Sequence, residues 1–297
     1  MPLDIFVPYW GDPALLRETV ASVLAQRNGD WLLTVVDDAY PDESVPAWFA
    51  TIDDPRVTYV RKPVNEGITA NYRTCVSMAT QESVVILGCD DVLLPNFVDV
   101  VTAARDRFPD AAIIQPGVEV IDEHGRLVRP LADRVKQDVV RPRASGTRVL
   151  QGEPLAANLM HGDWLYWPSL VFRRDVLVRT PFLDDLPLIQ DLALVMDMVL
   201  DGEQLVLEPA VCFRYRRHGH SASSASLLDG RRFSGERAYF AHVAARCDAQ
   251  GWHRAARAAR LAVTSRLHAL TLLPRAARTG RAGVTTMLRH AFGPMRP

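Results

Sequence analysis

Short apolar runs and amphipathic segments alternate through the first third of the chain. The predicted strands cover residues 4–9, 31–36, 57–60, 83–87 and 111–114. Between the strands, apolar residues recur at helical spacing, and the predicted helices begin near Pro13, Thr69 and Pro95. This alternation predicts an α/β fold with a mostly parallel sheet flanked by helices.

The remainder of the chain is less regular and divides into two parts. An aromatic, apolar run at 165–172 and a helix at 191–200 are predicted first, followed by an extended run. Beyond them, an Ala- and Arg-rich composition predicts a helical C-terminal extension over 231–297, interrupted at glycine and proline positions. We therefore expect one domain in two halves, 1–115 and 116–230, and then this extension.

Two acidic pairs, Asp37-Asp38 and Asp90-Asp91, each follow a predicted strand. Because ligands of parallel sheets bind beyond the carboxyl ends of the strands, both pairs are expected at one edge of the sheet. Such carboxylates can hold a divalent cation with phosphate oxygens, or accept hydrogen bonds from a uracil imide or a ribose hydroxyl. The alternative for each pair is a helix N-cap or a simple turn.

Four further segments combine candidate chemistry with a structural alternative. The turn Asn65-Glu66-Gly67 predicts a positive φ at its glycine and a helix N-terminus open to an anion. Asp191 begins an apolar helix, where an acidic residue is also favoured on electrostatic grounds alone. Residues 214–220, rich in Arg and His, suit phosphate or form a solvated edge strand. Three aromatic side chains stack on sugar rings or belong to the core: Trp164, Tyr166 and Trp167.

Composition narrows the class of protein. With 48% apolar and 23% charged residues among 297, the chain is expected to be globular and not disordered, collagen-like or a disulfide scaffold. Four cysteines without a CxxC pair favour a reduced, cytoplasmic setting. Neither a membrane span nor a signal peptide is expected from the apolar runs. Because P-loop and dinucleotide fingerprints are missing, ATP hydrolysis and hydride transfer are disfavoured.

The net charge of −1 hides an asymmetry along the chain. Residues 231–297 hold thirteen arginines against Glu236 and Asp248, a net charge of +11, which leaves −12 for the remainder. Leucines accompany these arginines, a pattern that fits a basic helix on the inner face of an anionic membrane or, equally, a helix packed on the catalytic domain. Nucleic acid is disfavoured as a partner because the rest of the chain is acidic and carries no reader motif.

Taken in chain order, these segments resemble the family 2 glycosyltransferases with a GT-A fold. The matching segments are Ile5-Phe6-Val7-Pro8-Tyr9, Val35-Val36-Asp37-Asp38-Ala39-Tyr40, Asn65-Glu66-Gly67, Leu87-Gly88-Cys89-Asp90-Asp91, Trp167-Pro168-Ser169, Gln190-Asp191 and Tyr215-Arg216-Arg217-His218. Three positions depart from the family pattern. Gly88 replaces the first acidic residue of its Asp-x-Asp, Gln190 replaces the Glu before its base, and Asn71-Tyr72-Arg73 differs from the usual Ala-Arg-Asn of the predicted helix there.

The resemblance implies an inverting, metal-dependent hexosyltransferase-type enzyme built on a Rossmann-like, GT-A-type sheet. Residues 1–115 would bind the nucleotide sugar, and 116–230 would hold the acceptor and the catalytic base. Asp191 would be the general base, Asp91 and His218 would bind Mn²⁺ or Mg²⁺, and the three aromatic residues above would contact the acceptor. The nucleotide-binding residues would be Val7, Pro8, Tyr9, Asp38, Asn65, Gly67, Arg73 and Asp90.

The donor implied is a UDP- or dTDP-sugar, and the acceptor is a hydroxyl of a glycan, a lipid-linked sugar or a small molecule, as in cell-wall or polysaccharide biosynthesis. Two alternatives stay open. Gly88 makes a catalytically silent nucleotide-sugar-binding protein conceivable. A sugar-phosphate nucleotidyltransferase would need a Gly-rich, Arg-containing loop after the first strand, which Trp10-Gly11-Asp12-Pro13 does not provide. The sequence leaves the oligomeric state open.

Overall fold

The computed structural model describes residues 2–143, 146–183, 189–217, 231–279 and 281–295, and a nine-stranded sheet forms the centre of this part of the chain. The strands are β1 (Leu3–Tyr9), β2 (Trp31–Asp37), β3 (Val57–Arg61), β4 (Ser83–Ile86), β5 (Val92–Leu93), β6 (Ile113–Ile121), β7 (Arg148–Leu150), β8 (Val171–Arg173) and β9 (Leu205–Arg216).

Helices connect the strands and continue after the sheet. They are α1 (Pro13–Leu24), α2 (Ser44–Phe49), α3 (Ile68–Met78), α4 (Phe97–Arg107), α5 (Leu131–Arg134), α6 (Gly152–His161), α7 (Arg174–Arg179), α8 (Gln190–Leu200), α9 (Arg231–Ala249), α10 (His253–Leu261), α11 (Val263–Thr279) and α12 (Arg281–Phe292). A π-helical turn (Val135–Val140) continues α5, and a 3-10 turn (Trp167–Ser169) precedes β8.

The sheet has the order β3-β2-β1-β4-β8-β6-β9-β5, with β7 paired to β9. β1 to β4 are mutually parallel, whereas β8 lies antiparallel between β4 and β6. Because β8 is antiparallel to both β4 and β6, β6 runs in the same direction as β4. β9 is parallel to β6, so both strands end at the same edge of the sheet as β1 to β4. The predicted α/β class is confirmed, and the sheet is mixed because β5, β7 and β8 reverse direction.

Successive residues of the central strands face opposite cores, as strand geometry requires. On one face Ile5 and Val7 pack in the same cluster as residues of α1 and α4, while on the other face Phe6 packs with residues of α3 and α8. All three side chains are at most 2% exposed. Both faces of the sheet are therefore covered, and its edges carry the exposed loops.

The C-terminal helices pack on this domain. Tyr239 of α9 donates a hydrogen bond to the Ala193 carbonyl of α8, and Arg246 pairs with Asp197 at 2.7 Å. Four alanines of α10 are buried in the main core, and α11 and α12 enclose a smaller cluster around Phe233. The extension thus has the packed arrangement that was one of its two predicted alternatives. Among the described helices, none has the length and apolarity needed to cross a bilayer.

Candidate active site

The two acidic pairs lie on either side of β1, at the edge where the parallel strands end. Tyr9, the last residue of β1, is in register with Asp37 of β2. The Asp38 amide donates to the Tyr9 carbonyl at 3.1 Å, and the Leu87 amide extends β4 by donating to Phe6 at 2.8 Å. The expectation that residues far apart in sequence share one edge of the sheet is confirmed.

Asp38 holds the turn that precedes α3. Its carboxylate is 2% exposed and accepts hydrogen bonds from the amides of Glu66 at 3.1 Å and Gly67 at 2.8 Å. Lys62 lies 3.4 Å away and balances the charge. Gly67 has φ 87°, the left-handed value that the turn predicted. Asp38 thus orders the Asn65-Glu66-Gly67 turn, and its contact with a nucleoside base stays a prediction.

Asp37 organises the loop on the other side of β2. The carboxylate is fully buried, accepts the Tyr40 amide at 2.7 Å and the Tyr59 hydroxyl, and lies 3.7 Å from Arg61. Burial and then this hydrogen bond raise the pKa of Tyr59. In the same loop Ala39 adopts φ 60°, a left-handed conformation that costs an alanine roughly 1–2 kcal/mol.

Asp91 has the most unusual environment at this edge. Its carboxyl is 1% exposed, and Oδ1 accepts the Arg216 amide at 2.8 Å. Among the described residues, Oδ2 has no hydrogen-bond partner, although it is buried. Burial, and then the neighbouring charge of Asp90, raise the pKa of Asp91 well above its usual range. An uncompensated buried carboxyl of this kind is suited to pairing with a cation.

Gly88 allows the Asp91 carboxyl to lie where it does. A Cβ placed on Gly88 would be 2.4 Å from Asp91 Oδ2 and 3.1 Å from Asp90 Oδ1. An acidic side chain at position 88, as in the family motif, would therefore collide with this arrangement. The missing side chain at Gly88 therefore leaves the space that the Asp91 carboxyl occupies.

The donor set at Asp91 fits a divalent cation. Mg²⁺ is commonly bound by one or two carboxylates together with substrate phosphates, and a buried carboxylate oxygen without a donor meets the first requirement. Asp90 and Asp91 are the residues that would hold the ion. Within the part of the chain that the structure describes, no three His, Cys, Asp or Glu side chains converge. His218, the other predicted ligand, lies outside the described residues.

Arg216 fixes the acidic loop to the end of β9. Besides its amide bond to Asp91, its Nε donates to the Asp90 carbonyl at 2.7 Å, and its Nη2 reaches Glu18 of α1 at 2.6 Å. The remaining amino group donates to carbonyls of the loop after β6. With the residue only 3% exposed and its nitrogens all bonded, Arg216 has a structural role at this edge.

Arg217 is a second cation, after Arg216, whose charge acts on Asp91. Its charge opposes the rise in the pKa of Asp91 that burial and Asp90 cause. Asp133 of α5 holds the guanidinium with two hydrogen bonds, at 3.1 and 2.9 Å. Tyr166 donates to the same carboxylate at 2.9 Å, and Asp133 is 3% exposed. Asp133 could not be predicted from the sequence, because an acidic residue in a polar, Arg-rich stretch gives no signal of burial.

The first turn of α3 connects the nucleotide side to Asp191. Gly67 at its start is bonded to Asp38, and Thr69 donates to Gln190, the residue before Asp191, at 2.9 Å. Burial and then the charge of Asp191 raise the pKa of Tyr72, and Cys89 makes a smaller contribution in the same direction. Tyr72 therefore lies within electrostatic reach of both Asp191 and the Gly88–Asp91 loop. The first turn of α3 thus connects Asp38 to the residue before Asp191.

The predicted acceptor aromatics separate into two groups. Trp164 is 1% exposed and its indole N–H donates to Asn158 at 2.6 Å, while Tyr166 is bonded to Asp133. Both rings belong to the core, which was the structural alternative. Trp167 borders a shallow depression that Asp163 and Asp191 also line. Of the three side chains, Trp167 is the one beside the candidate base.

The remaining predicted nucleotide contacts also differ in accessibility. Val7 and Tyr9 are fully buried, and the Tyr9 hydroxyl donates to the Gly11 carbonyl at 2.9 Å, which leaves the half-buried Pro8 as the accessible member. Arg73 donates to the Phe182 carbonyl at 2.8 Å and thereby fastens α3 to the segment after α7. A nucleotide contact by Arg73 stays a prediction.

Known proteins resemble this chain in sequence and in fold. The family model described as Glycosyl transferase family 2 matches residues 4–155, just over half of the chain. The ExoW succinoglycan biosynthesis protein of Rhizobium meliloti (strain 1021) is 33% identical over 99 residues, 32% of this chain and 31% of ExoW. WcaA of Escherichia coli (strain K12), named for colanic acid biosynthesis, is 26% identical over 113 residues, 38% of this chain and 40% of WcaA. The matches thus span less than half of these relatives.

Solved structures extend the likeness to nearly the whole chain. Residues 1–349 of S. aureus TarS in complex with UDP-GlcNAc align with TM-score 0.66 and 13% identity, over 98% of this chain and 90% of that one. The mannosyltransferase PcManGT of Pyrobaculum calidifontis, in complex with GDP-Man and Mn²⁺, aligns with TM-score 0.59 and 19% identity, over 96% and 78%. The fold is the GT-A fold, and the chain belongs to glycosyl transferase family 2.

Proposed function

We propose that the chain is an inverting glycosyltransferase that moves a sugar from a nucleoside diphosphate to an acceptor hydroxyl. One observation carries the proposal: the Asp91 carboxyl is buried, its Oδ2 has no hydrogen-bond partner among the described residues, and the charges of Asp90 and Arg217 act on it. A divalent cation held by Asp91 and Asp90 would, together with Arg217, suit a diphosphate, and Asp191 would suit the hydroxyl that attacks. Family membership supports the reaction class.

The charge that develops during the reaction explains which residues we propose to bind the diphosphate. Cleavage of the sugar–phosphate bond leaves negative charge on the departing diphosphate, which the Arg217 guanidinium, held by Asp133, is placed to stabilise. A Mn²⁺ or Mg²⁺ bound by Asp91 and Asp90 would neutralise further charge there. Arg216 holds the Asp91 carboxylate through its backbone amide and the Asp90 backbone carbonyl through its side chain. The ordered turn after Asp38 receives the nucleoside end of the donor.

Asp191 is proposed as the general base. It lies in the first turn of α8, where the helix dipole favours the ionised carboxylate. An acceptor hydroxyl is a weak nucleophile at neutral pH, and a carboxylate within hydrogen-bond reach takes its proton as the new bond forms. Attack from the face opposite to the diphosphate inverts the anomeric carbon. Trp167, which borders the same depression, is proposed to contact the acceptor sugar.

The donor and acceptor are proposed from the relatives. The TarS complex contains UDP-GlcNAc, which supports a uridine or thymidine donor, whereas PcManGT was solved with GDP-Man. ExoW and WcaA are named for the biosynthesis of succinoglycan and colanic acid. We therefore propose a glycan or lipid-linked acceptor in polysaccharide biosynthesis, with transfer on the cytoplasmic side at the inner face of the membrane.

A donor-turnover assay tests the proposal. Release of nucleoside diphosphate from UDP-, dTDP- and GDP-sugars is measured with and without Mn²⁺, for the natural chain and for Asp191→Asn. Asp201→Asn is the matched control, because Asp201 caps the other end of α8 with its side chain 59% exposed. Nucleotide binding without turnover in the natural chain would instead favour the silent binder that Gly88 made conceivable. Equal turnover by Asp191→Asn would remove this residue from the mechanism.

A further inference from the structure

The segment formed by α5 and the following π-helical turn has two different sides. On the inner side, Asp133 holds Arg217 next to the acidic pair. On the outer side, Leu131, Val135 and Val139 are 74%, 40% and 75% exposed, four residues apart and thus along one stripe. Aliphatic side chains exposed in a row on a helical segment indicate a surface that is covered by something else.

This stripe lies close to the start of α11. A Cβ placed on Gly162 would be 3.1 Å from Val140 Cγ1 and 3.3 Å from Thr264 Cγ2, so the end of the π-helical turn and the first turn of α11 meet there. Val263 and Leu267, on either side of Thr264, are 46% and 56% exposed. The two exposed apolar segments are therefore neighbours on the surface.

A second contact adds two more apolar side chains. Arg266 of α11 donates to the carbonyl of Leu261 at 2.7 Å and to that of Ala291 at 2.8 Å. Leu261 is 45% exposed, and Phe292, which follows Ala291, is 75% exposed. We call the whole set the docking face: Leu131, Val135, Val139, Leu261, Val263, Leu267 and Phe292.

The residues around the docking face are basic. Residues 126–143 contain six Arg or Lys against Asp133 and Asp138. Residues 253–268 contain four Arg and no acidic residue, and one of these arginines, Arg260, pairs with Asp248. Because a second copy of this chain would bring the same positive charge to the contact, self-association through this face is disfavoured. An anionic lipid surface offers the opposite charge and an apolar layer for the aliphatic tips.

We propose that the docking face rests on an anionic membrane, with its aliphatic tips in the interfacial layer and its arginines at the lipid phosphates. Because α5 is part of the face and also holds Arg217, this orientation brings the active-site edge of the sheet next to the bilayer. The proposed lipid-linked acceptor would then reach the site from the membrane. Docking is separable from transfer, since none of the seven side chains belongs to the candidate active site.

Vesicle co-sedimentation of the full chain tests the proposal. The natural chain is expected to pellet with vesicles that contain phosphatidylglycerol and not with pure phosphatidylcholine, and to be released as salt is raised. The double variants Leu131→Glu with Val139→Glu, and Leu261→Glu with Leu267→Glu, are each expected to bind about tenfold more weakly, since each removes two apolar contacts. Val178→Glu is the matched control: Val178 is 54% exposed, but α7 follows β8 at the opposite edge of the sheet.

The outcomes distinguish docking on a membrane from self-association of the chain and from the absence of docking. Failure of the natural chain to bind anionic vesicles would overturn the proposal, whatever its transferase activity. So would equal binding by both double variants, or a dimer in light scattering that they convert to monomer. Because the two variants change different helices, each checks the other, and thermal melting shows whether either has unfolded. Weaker binding by both with normal melting, and unchanged binding by Val178→Glu, is the expected result.

Discussion

Gly88→Ala is the smallest change that should displace the Asp91 carboxyl. The new Cβ would lie 2.4 Å from Asp91 Oδ2 and 3.2 Å from its Cγ, so the carboxylate must move by about 1 Å to reach ordinary contact. That movement strains the side-chain rotamer, at about 0.5–1.5 kcal/mol. It also weakens the bond from the Arg216 amide, and a hydrogen bond to a charged group contributes about 1.5–3 kcal/mol.

Displacement of this size is expected to reduce donor turnover by about 100-fold, because misplacement of a reacting group by about 1 Å has that effect. The assay is nucleoside diphosphate release over a Mn²⁺ titration, in which the half-saturating concentration should also rise. Gly146→Ala is the control, since a Cβ there has no atom within 4 Å and the residue is exposed. Natural turnover with an unchanged Mn²⁺ response in Gly88→Ala would refute the coupling between Gly88 and Asp91.

Four further changes have defined outcomes. Asp191→Asn should lower kcat by about 10²–10⁴ while donor binding, followed by calorimetry, is retained. Asp133→Asn should release Arg217 and raise the donor KM about tenfold, with a smaller change in kcat, in steady-state kinetics. Ala39→Gly should raise the melting temperature by roughly 2–4 °C, because it relieves about 1 kcal/mol of left-handed strain. Burial lowers the pKa of His290 from 6.5 to about 4. The unfolded chain therefore binds a proton at His290 before the folded chain does, and the free energy of unfolding falls as the pH is lowered from 6.5 toward 4. The loss is at most about 1.4 kcal/mol per pH unit. Melting curves of His290→Gln should be flatter over that range.

The alternation of strands and helices made the first half of the fold predictable. β1 and β4 are buried on both faces over most of their length, and β2 is buried at its end, so all three contain the apolar runs from which strands were predicted. β7 and β8 have three residues each, and β5 has two. Their existence depends on pairing with distant strands, which no local pattern encodes. The mixed character of the sheet was therefore beyond sequence analysis.

The candidate site was predictable to the extent that it depends on strand ends. Asp38 and Asp91 were found because acidic residues directly after apolar strands are conspicuous. Their roles could not be predicted from the sequence, because the bonds of Asp38 to the Gly67 turn and the unsatisfied oxygen of Asp91 depend on tertiary contacts. Trp164 was assigned to the acceptor site together with Trp167, because composition alone does not show which of two buried indoles borders a surface depression.

The first turn of α3 is bonded to Asp38 through Gly67 and to Gln190 through Thr69. It therefore lies between the proposed nucleoside pocket and the proposed base, Asp191. Any insertion or deletion between Lys62 and Thr69 would thus move the proposed base as well as the nucleoside pocket. On the proposed roles of these residues, donor preference and acceptor preference would change together. Directed evolution toward a new sugar nucleotide should therefore accumulate compensating changes near Asp191, even when selection is applied to the donor alone.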